Sequence, residues 1–244
     1  MSTRILVLGK GEMAIRAGEF ILRHRYDSPY YDFHCAVPVV PEPDWAPSFA
    51  SWCGSCGIHT VQSGDWRLVV GVYDLALSIF YDRRIGKDLI DRCGRFVNLH
   101  NGLLPQYRGC RPINWALKNG DAMAGVTLHE VTPRFDDGPI VAQVAFSLYP
   151  DDEVASVYQR ACEFGFTLLT ETLPSLDTIE GVPQDESKAR YYTMKDAERL
   201  GDRAEWRRHV RSTPPAAGHT LNKPRRRIAA TAAENGASTK GASR

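Results

Sequence analysis

In this 244-residue chain the residue types best suited to chemistry stand two apart. They are Asn98 and His100, in the run Asn98-Leu-His-Asn-Gly-Leu-Leu-Pro-Gln-Tyr-Arg-Gly109. A short apolar segment, Gly94-Arg-Phe-Val97, precedes them. Read as a strand, it puts Phe96, Asn98 and His100 on one side, because side chains alternate with period two. Beyond His100 come Asn101-Gly102, Pro105 and Gly109, all turn-forming residues. An amide donor then leaves the strand end beside a base that titrates near neutrality. Such a pair suits polarising a carbonyl while a proton is taken from its attacker.

A second block lies downstream, Phe135-Asp-Asp-Gly-Pro-Ile-Val-Ala-Gln143. Asn-x-His followed by Leu-Leu-Pro-x-Tyr-Arg-Gly resembles the signature of the 10-formyltetrahydrofolate-dependent formyltransferases. The later block resembles that family's Asp-x-Gly segment, with Asp136 in the place of its catalytic aspartate. The resemblance runs over about residues 4–195 and is firmest between Asn98 and Gln143. It implies a Rossmann-like core in which Asn98, His100 and Asp136 meet at the bottom of an open cleft. Asn98 would donate to the formyl oxygen. His100 would accept the amine proton, or steady the oxyanion if it is protonated. Asp136 would orient His100 and favour its charged form. The formyl donor is already activated, so no metal is called for.

The elements that must position these residues read as an α/β fold, mostly parallel. Strand signals fall at Arg4–Leu8, Phe33–Val37 with Val39-Val40, Ile58–Val61, Leu75–Tyr81, Arg95–Leu99, Gly125–Val131 and Pro139–Leu148. Helix signals fall at Ala14–Arg25, Pro47–Cys56, Arg84–Cys93, Pro112–Lys118 and Ser156–Leu173. Function is expected at the C-terminal ends of the strands. The expected organisation is a catalytic domain over 1–180, a short hairpin-helix arm over 181–212, and a mobile tail over 213–244.

Within the family, His-Asn-Gly-x-Leu-Pro-x-Tyr-Arg-Gly most resembles the sugar-nucleotide N-formyltransferases, and Ala189–Asp196 resembles the Tyr-x-x-Lys stretch that closes their core. The resemblance implies a dTDP-linked amino-dideoxy sugar as acceptor, of the 4-amino-4,6-dideoxyhexose type, and a homodimer. It places the pterin of the folate against Tyr81, Arg83, Ile85 and the loop ending at Asp136. It offers Asn101, Tyr192 and Lys195 as sugar-nucleotide contacts. Asp82-Arg83-Arg84 is more charged than in many relatives. Glycinamide ribonucleotide is the alternative acceptor. The segment after the core is too short for the β-barrel of the methionyl-tRNA enzymes.

Composition narrows the classes further. Hydrophobic residues make up 43% of the chain, enough for a sizeable core. Before Thr213 there are 24 basic and 28 acidic residues; after it, six basic and one acidic. A body of about −4 is not that of a nucleic-acid binder. No apolar run is long enough to cross a bilayer, and six cysteines do not make a disulfide scaffold. A cytoplasmic enzyme is expected. Cys53-Gly-Ser-Cys56 has the spacing of a redox pair or half a zinc site, but no second such pair exists. From a different class, Gly9-Lys-Gly-Glu-Met-Ala14 could cradle a dinucleotide phosphate, with Glu42 as the ribose acid. That would make a nicotinamide-dependent oxidoreductase.

Overall fold

The computed structural model describes residues 2–26 and 31–201, and the backbone of 220–222. Ile5-Leu-Val-Leu8 is fully buried, as a strand covered on both faces must be. It lies in β1 (Thr3–Gly9), which turns into α1 (Gly11–Arg23). The turn is tight: Gly11 has φ +64°, and a Cβ on Gly9 would stand 2.8 Å from that of Ala14. The chain continues through β2 (Tyr31–Pro38), α2 (Phe49–Ser55), β3 (Tyr73–Ile79), α3 (Lys87–Ile90) and β4 (Cys93–His100). Then follow β5 (Arg108–Gly109), α4 (Pro112–Lys118), β6 (Met123–Glu130), β7 (Ile140–Ser147), α5 (Val154–Thr172), β8 (Tyr191–Tyr192) and β9 (Thr220–Asn222).

The main sheet has the order β2-β1-β3-β4-β6-β7-β9. The first four strands are parallel, and β6, β7 and β9 join by antiparallel pairings. Five of the seven strands therefore point the same way, in the expected mostly parallel α/β core flanked by helices.

Alternation divides the side chains between two cores. Ile5, Val7, Leu77, Ile79, Val97, Leu99, Val126 and Leu128 join the larger one under α1 and α5. Leu6, Leu8, Ala76 and Phe96 face a smaller one with Val61, Val69, Ile85 and Leu89. Ser78, Asn98, His100 and His129 follow the second alternation. The smaller core thus runs out into polar side chains at one end of its face.

Several expectations need correction. Ile58–Val61 forms no strand, only an isolated bridge between Thr60 and Ala36. The helix over Arg84–Cys93 is a single turn, α3, because Gly86 bonds from its carbonyl to the amides of Leu89 and Ile90 and the chain soon enters β4. In the described part of the expected arm, Tyr191 and Tyr192 pair in parallel with Arg108 and Gly109. Within the expected tail, Thr220–Asn222 adds β9 to the edge of β7. The rest of 213–244, and 202–212 of the arm, lie outside the described residues.

Glu42 is committed elsewhere than to a ribose. Its carboxylate accepts the Ser48 hydroxyl and the amides of Phe49, at 2.8 Å, and Ala50, so it caps α2. Cys53 is buried while Cys56 is exposed, both as free thiols. Burial pushes the Cys53 thiol up to about 12. Among the described residues no helix is long and apolar enough to cross a membrane.

Candidate active site

Strand register builds the centre of the site. Ser78 on β3, Asn98 on β4 and His129 on β6 are direct cross-strand partners in one row. The Ser78 hydroxyl donates to Asn98 Oδ1 at 2.6 Å. His129 Nδ1 lies 2.9 Å from the Glu130 carbonyl, which can only accept, so that nitrogen carries the hydrogen. His129 Nε2 is then the ring's acceptor, and Asn98 Nδ2 meets it at 2.9 Å. The amide is held at both ends. Its second Nδ2 hydrogen is left for the Asp136 side, where Oδ1 stands at 3.5 Å.

His100 is also held in one tautomer. Its Nε2 lies 2.7 Å from the Tyr107 carbonyl and must carry the hydrogen. Nδ1 is then the basic atom, 3.6 Å from Asp136 Oδ1. Burial pushes the imidazole pKa below its ordinary value, more strongly than the Asp136 carboxylate raises it.

Asp136 reaches both histidines from a loop. Its φ is +52°, in the left-handed region. Its Oδ2 accepts the Gly109 amide at 2.8 Å, and its Oδ1 lies 3.4 Å from His129 Nε2. Burial alone would raise its pKa. The His100 and His129 imidazoles beside it and the Gly109 amide outweigh that and hold it well below the usual carboxylate range. Among the described residues the non-glycine residues with positive φ are Phe80, Arg111 and Asp136. One ends β3, one precedes α4 and one is the acid itself. Such conformations cost about 1–3 kcal/mol each and cluster where a site over-determines them.

An open cleft has Ser78, Asn98, His129 and Asp136 in its lining. Tyr81, Arg83 and Ile85 line it too, as do residues 131–135. Tyr81 and Arg83 both donate to the Gly64 carbonyl, and Arg83 also to that of Val40. Arg84 Nε bridges to the Pro133 carbonyl at 3.3 Å. The folate-side residues thus share one cleft with the acid. The three sugar-nucleotide candidates are not among its lining residues. Asn101 is half-buried directly after His100. Tyr192 packs its ring against Trp115, with centroids 4.4 Å apart, and against Tyr107 at 5.8 Å. Lys195 is exposed at the start of a 3-10 turn, Lys195–Leu200.

Sequence reasoning missed Ser78 and His129. Each looked like an ordinary member of an apolar strand, and only the register reveals the row. The available signal was a polar residue near the end of each run, Ser78 in Leu75–Tyr81 and His129 in Gly125–Val131, the latter beside Thr127 and Glu130.

Residues 71–173 match the family model described as formyl transferase. The chain is 39% identical over 105 residues to the bifunctional polymyxin resistance protein ArnA of Wigglesworthia glossinidia brevipalpis. That stretch is 42% of this chain and only 16% of the relative. Among solved structures, an N-formyltransferase from Helicobacter canadensis, in complex with folinic acid and dTDP-3-aminofucose, superimposes with a TM-score of 0.69. It is 20% identical, over 79% of this chain and 71% of that one. A 4-N formyltransferase from Francisella tularensis has a TM-score of 0.68 and 16% identity, over 91% of this chain and 96% of its own. Residues 71–173, which match the formyl transferase model, carry Asn98, His100, His129 and Asp136, and the chain that holds them has the formyltransferase fold.

Proposed function

We propose that this chain moves a formyl group from 10-formyltetrahydrofolate to the amine of a dTDP-linked amino-dideoxy sugar, of the 4-amino-4,6-dideoxyhexose type. One observation carries the chemistry: an oriented amide donor and an imidazole from the end of β4 converge with a carboxylate from one loop. The reduced folate occupies the cleft beside Tyr81, Arg83 and Ile85, its formyl carbon near Asn98. The acceptor amine attacks that carbon, forming the new C–N bond while charge builds on the formyl oxygen. The Asn98 Nδ2 hydrogen on the Asp136 side, now in a long 3.5 Å contact with Oδ1, turns to stabilise that charge. A positioned donor of this kind is worth about 10² to 10³ in rate. His100 Nδ1 takes the proton from the attacking nitrogen, and Asp136 stabilises the resulting imidazolium. The bond to the folate nitrogen then breaks, and that nitrogen leaves with a proton returned by His100. The left-handed Asp136 and the capped tautomers supply pre-organisation, so little rearrangement is left for the reaction itself.

The sugar acceptor is favoured by the His-Asn-Gly turn, the Tyr-Arg-Gly run and the ligand of the Helicobacter canadensis relative. Asn101, Tyr192 and Lys195 remain our candidates for its recognition, with residues 1–180 as the catalytic domain. The same reading makes the protein a cytoplasmic homodimer, which sedimentation of the purified chain tests.

The decisive assay is purified protein with 10-formyltetrahydrofolate and a panel of dTDP-amino sugars, read by mass gain of one formyl group. Formylation of glycinamide ribonucleotide instead would move the assignment to purine synthesis. Calorimetric titration with 5-formyltetrahydrofolate and with NADH separates the folate reading from the dinucleotide one. Heat from NADH alone would overturn it.

A further inference from the structure

Asp136 is held by its side chain from Gly109 and by its backbone from a residue well beyond the family-matched stretch. The Gln184 amide nitrogen donates to the carbonyls of Asp136, at 2.8 Å, and Gly138, at 2.7 Å. Gln184 is itself buried, at 9% exposure. Its own Oε1 accepts Arg108 Nε at 2.9 Å. Arg108, also buried, completes its fork on both carboxylate oxygens of Glu186, at 3.0 and 2.7 Å. The next residue after Arg108 is Gly109, whose amide holds Asp136 Oδ2. Gly138 cannot yield easily, because its Cα packs against the Glu130 carbonyl where even a Cβ would clash. The arginine of the Tyr-Arg-Gly run thus sets one amide side chain, and that side chain fixes both carbonyls that bracket Asp137.

We propose that Gln184, oriented by Arg108, is the positioning residue that holds Asp136 in its left-handed conformation over His100. The consequence for catalysis rests on the formyl-transfer reading above. The placement of the Asp136 carboxylate does not. Gln184 touches no reacting atom. It acts through Asp136, and its two donors are what the loop needs: the carbonyls of Asp136 and Gly138, one residue apart and outside any strand.

The test uses the full chain with Gln184→Leu, which keeps the side-chain size and removes both donors. Hydrogen exchange of the Gly109 amide reads the Asp136 contact without any substrate. It should accelerate about tenfold, while the Leu77 amide in β3 stays within about twofold, as for a local opening. An unchanged Gly109 amide, or equal acceleration of both, would overturn the proposal. In turnover, Gln184→Leu should lower kcat about tenfold in the parent, yet less than about twofold in an Asp136→Ala background, because the two act as one unit. Equal losses in both backgrounds would also overturn it. The acid limb of kcat/KM should move to lower pH, since the carboxylate that raises the proton affinity of His100 is no longer fixed. A purely structural role leaves that limb in place. Failure of the parent protein to formylate anything removes the functional reading, and the Gly109 exchange still decides the positioning role.

Discussion

Asn98 and His129 face each other across β4 and β6, with Asn98 Nδ2 2.9 Å from His129 Nε2. With Ser78 on the other side, this contact fixes which end of the amide points at the cleft. His129→Ala should lower kcat by about tenfold, the usual scale for loss of an orienting partner. Ser78→Ala should cost less, because the His129 contact still orients the amide. Steady-state kinetics on both variants check this, and a Ser78 effect larger than that of His129 contradicts it.

Asn98→Asp is nearly isosteric but replaces the donor by an acceptor. The new carboxylate would stand beside Asp136, where Asn98 Nδ2 is now 3.5 Å from Oδ1. Turnover should fall about 10² to 10³-fold through loss of the oxyanion donor. Near-parental circular dichroism with parental turnover would show that the formyl oxygen is bound elsewhere.

Stability should depend on pH through His100. Its folded pKa lies below the ordinary 6.5 because burial opposes the charge. Between the folded value and 6.5 the unfolded chain binds more protons, so stability is complete above about 6.5 and falls as pH drops below it. His100→Gln should flatten that part of the profile. Asp136 acts in the same direction lower down, with stability lost as pH falls below its ordinary value of 3.8. Urea midpoints between pH 4 and 8 check the His100 window. An equal slope in His100→Gln would assign the effect to other groups.

Gly109 has φ +89°, and a Cβ there would stand 2.2 Å from the Tyr192 carbonyl. Gly109→Ala should therefore destabilise the protein by about 2 kcal/mol or more. It should also reduce turnover, because the Gly109 amide holds Asp136. Thermal melts and kinetics together check it; loss of neither would mean that the loop adjusts freely.

Much of this architecture was legible in the chain. The apolar run at Ile5–Leu8, the single polar gap at Asn98 and His100, and the Pro112–Lys118 helix read directly from residue type and period. Asn98, His100 and Asp136 came from motif and chemistry, and they do converge. Ser78 and His129 were hidden because each lies in a strand whose residues are mostly apolar. Their meaning depends on which strand lies beside which, and in what register, and this is non-local. Gln184 was hidden for a similar reason: its partners are 46 and 48 positions away and are backbone carbonyls, which leave no mark in a sequence. The parallel pairing of Tyr191 and Tyr192 with Arg108 and Gly109 was hidden because two adjacent tyrosines have the same β-propensity whichever way their partner strand runs.

His100 Nε2 also clasps the carbonyl of Tyr107, seven residues on, so the side chain shuts its own motif into a ring. The loop within that ring runs from Asn101 to Gln106. Removing the imidazole does two things at once: it takes away the basic atom, and it opens the ring and returns conformational entropy to the loop. The rate lost in a His100 variant is then a compound quantity, larger than the worth of proton transfer alone. Free imidazole added to His100→Gly could replace the base but not the covalent tether of the clasp. Chemical rescue should accordingly be partial, and the part left unrecovered measures what the ring contributes.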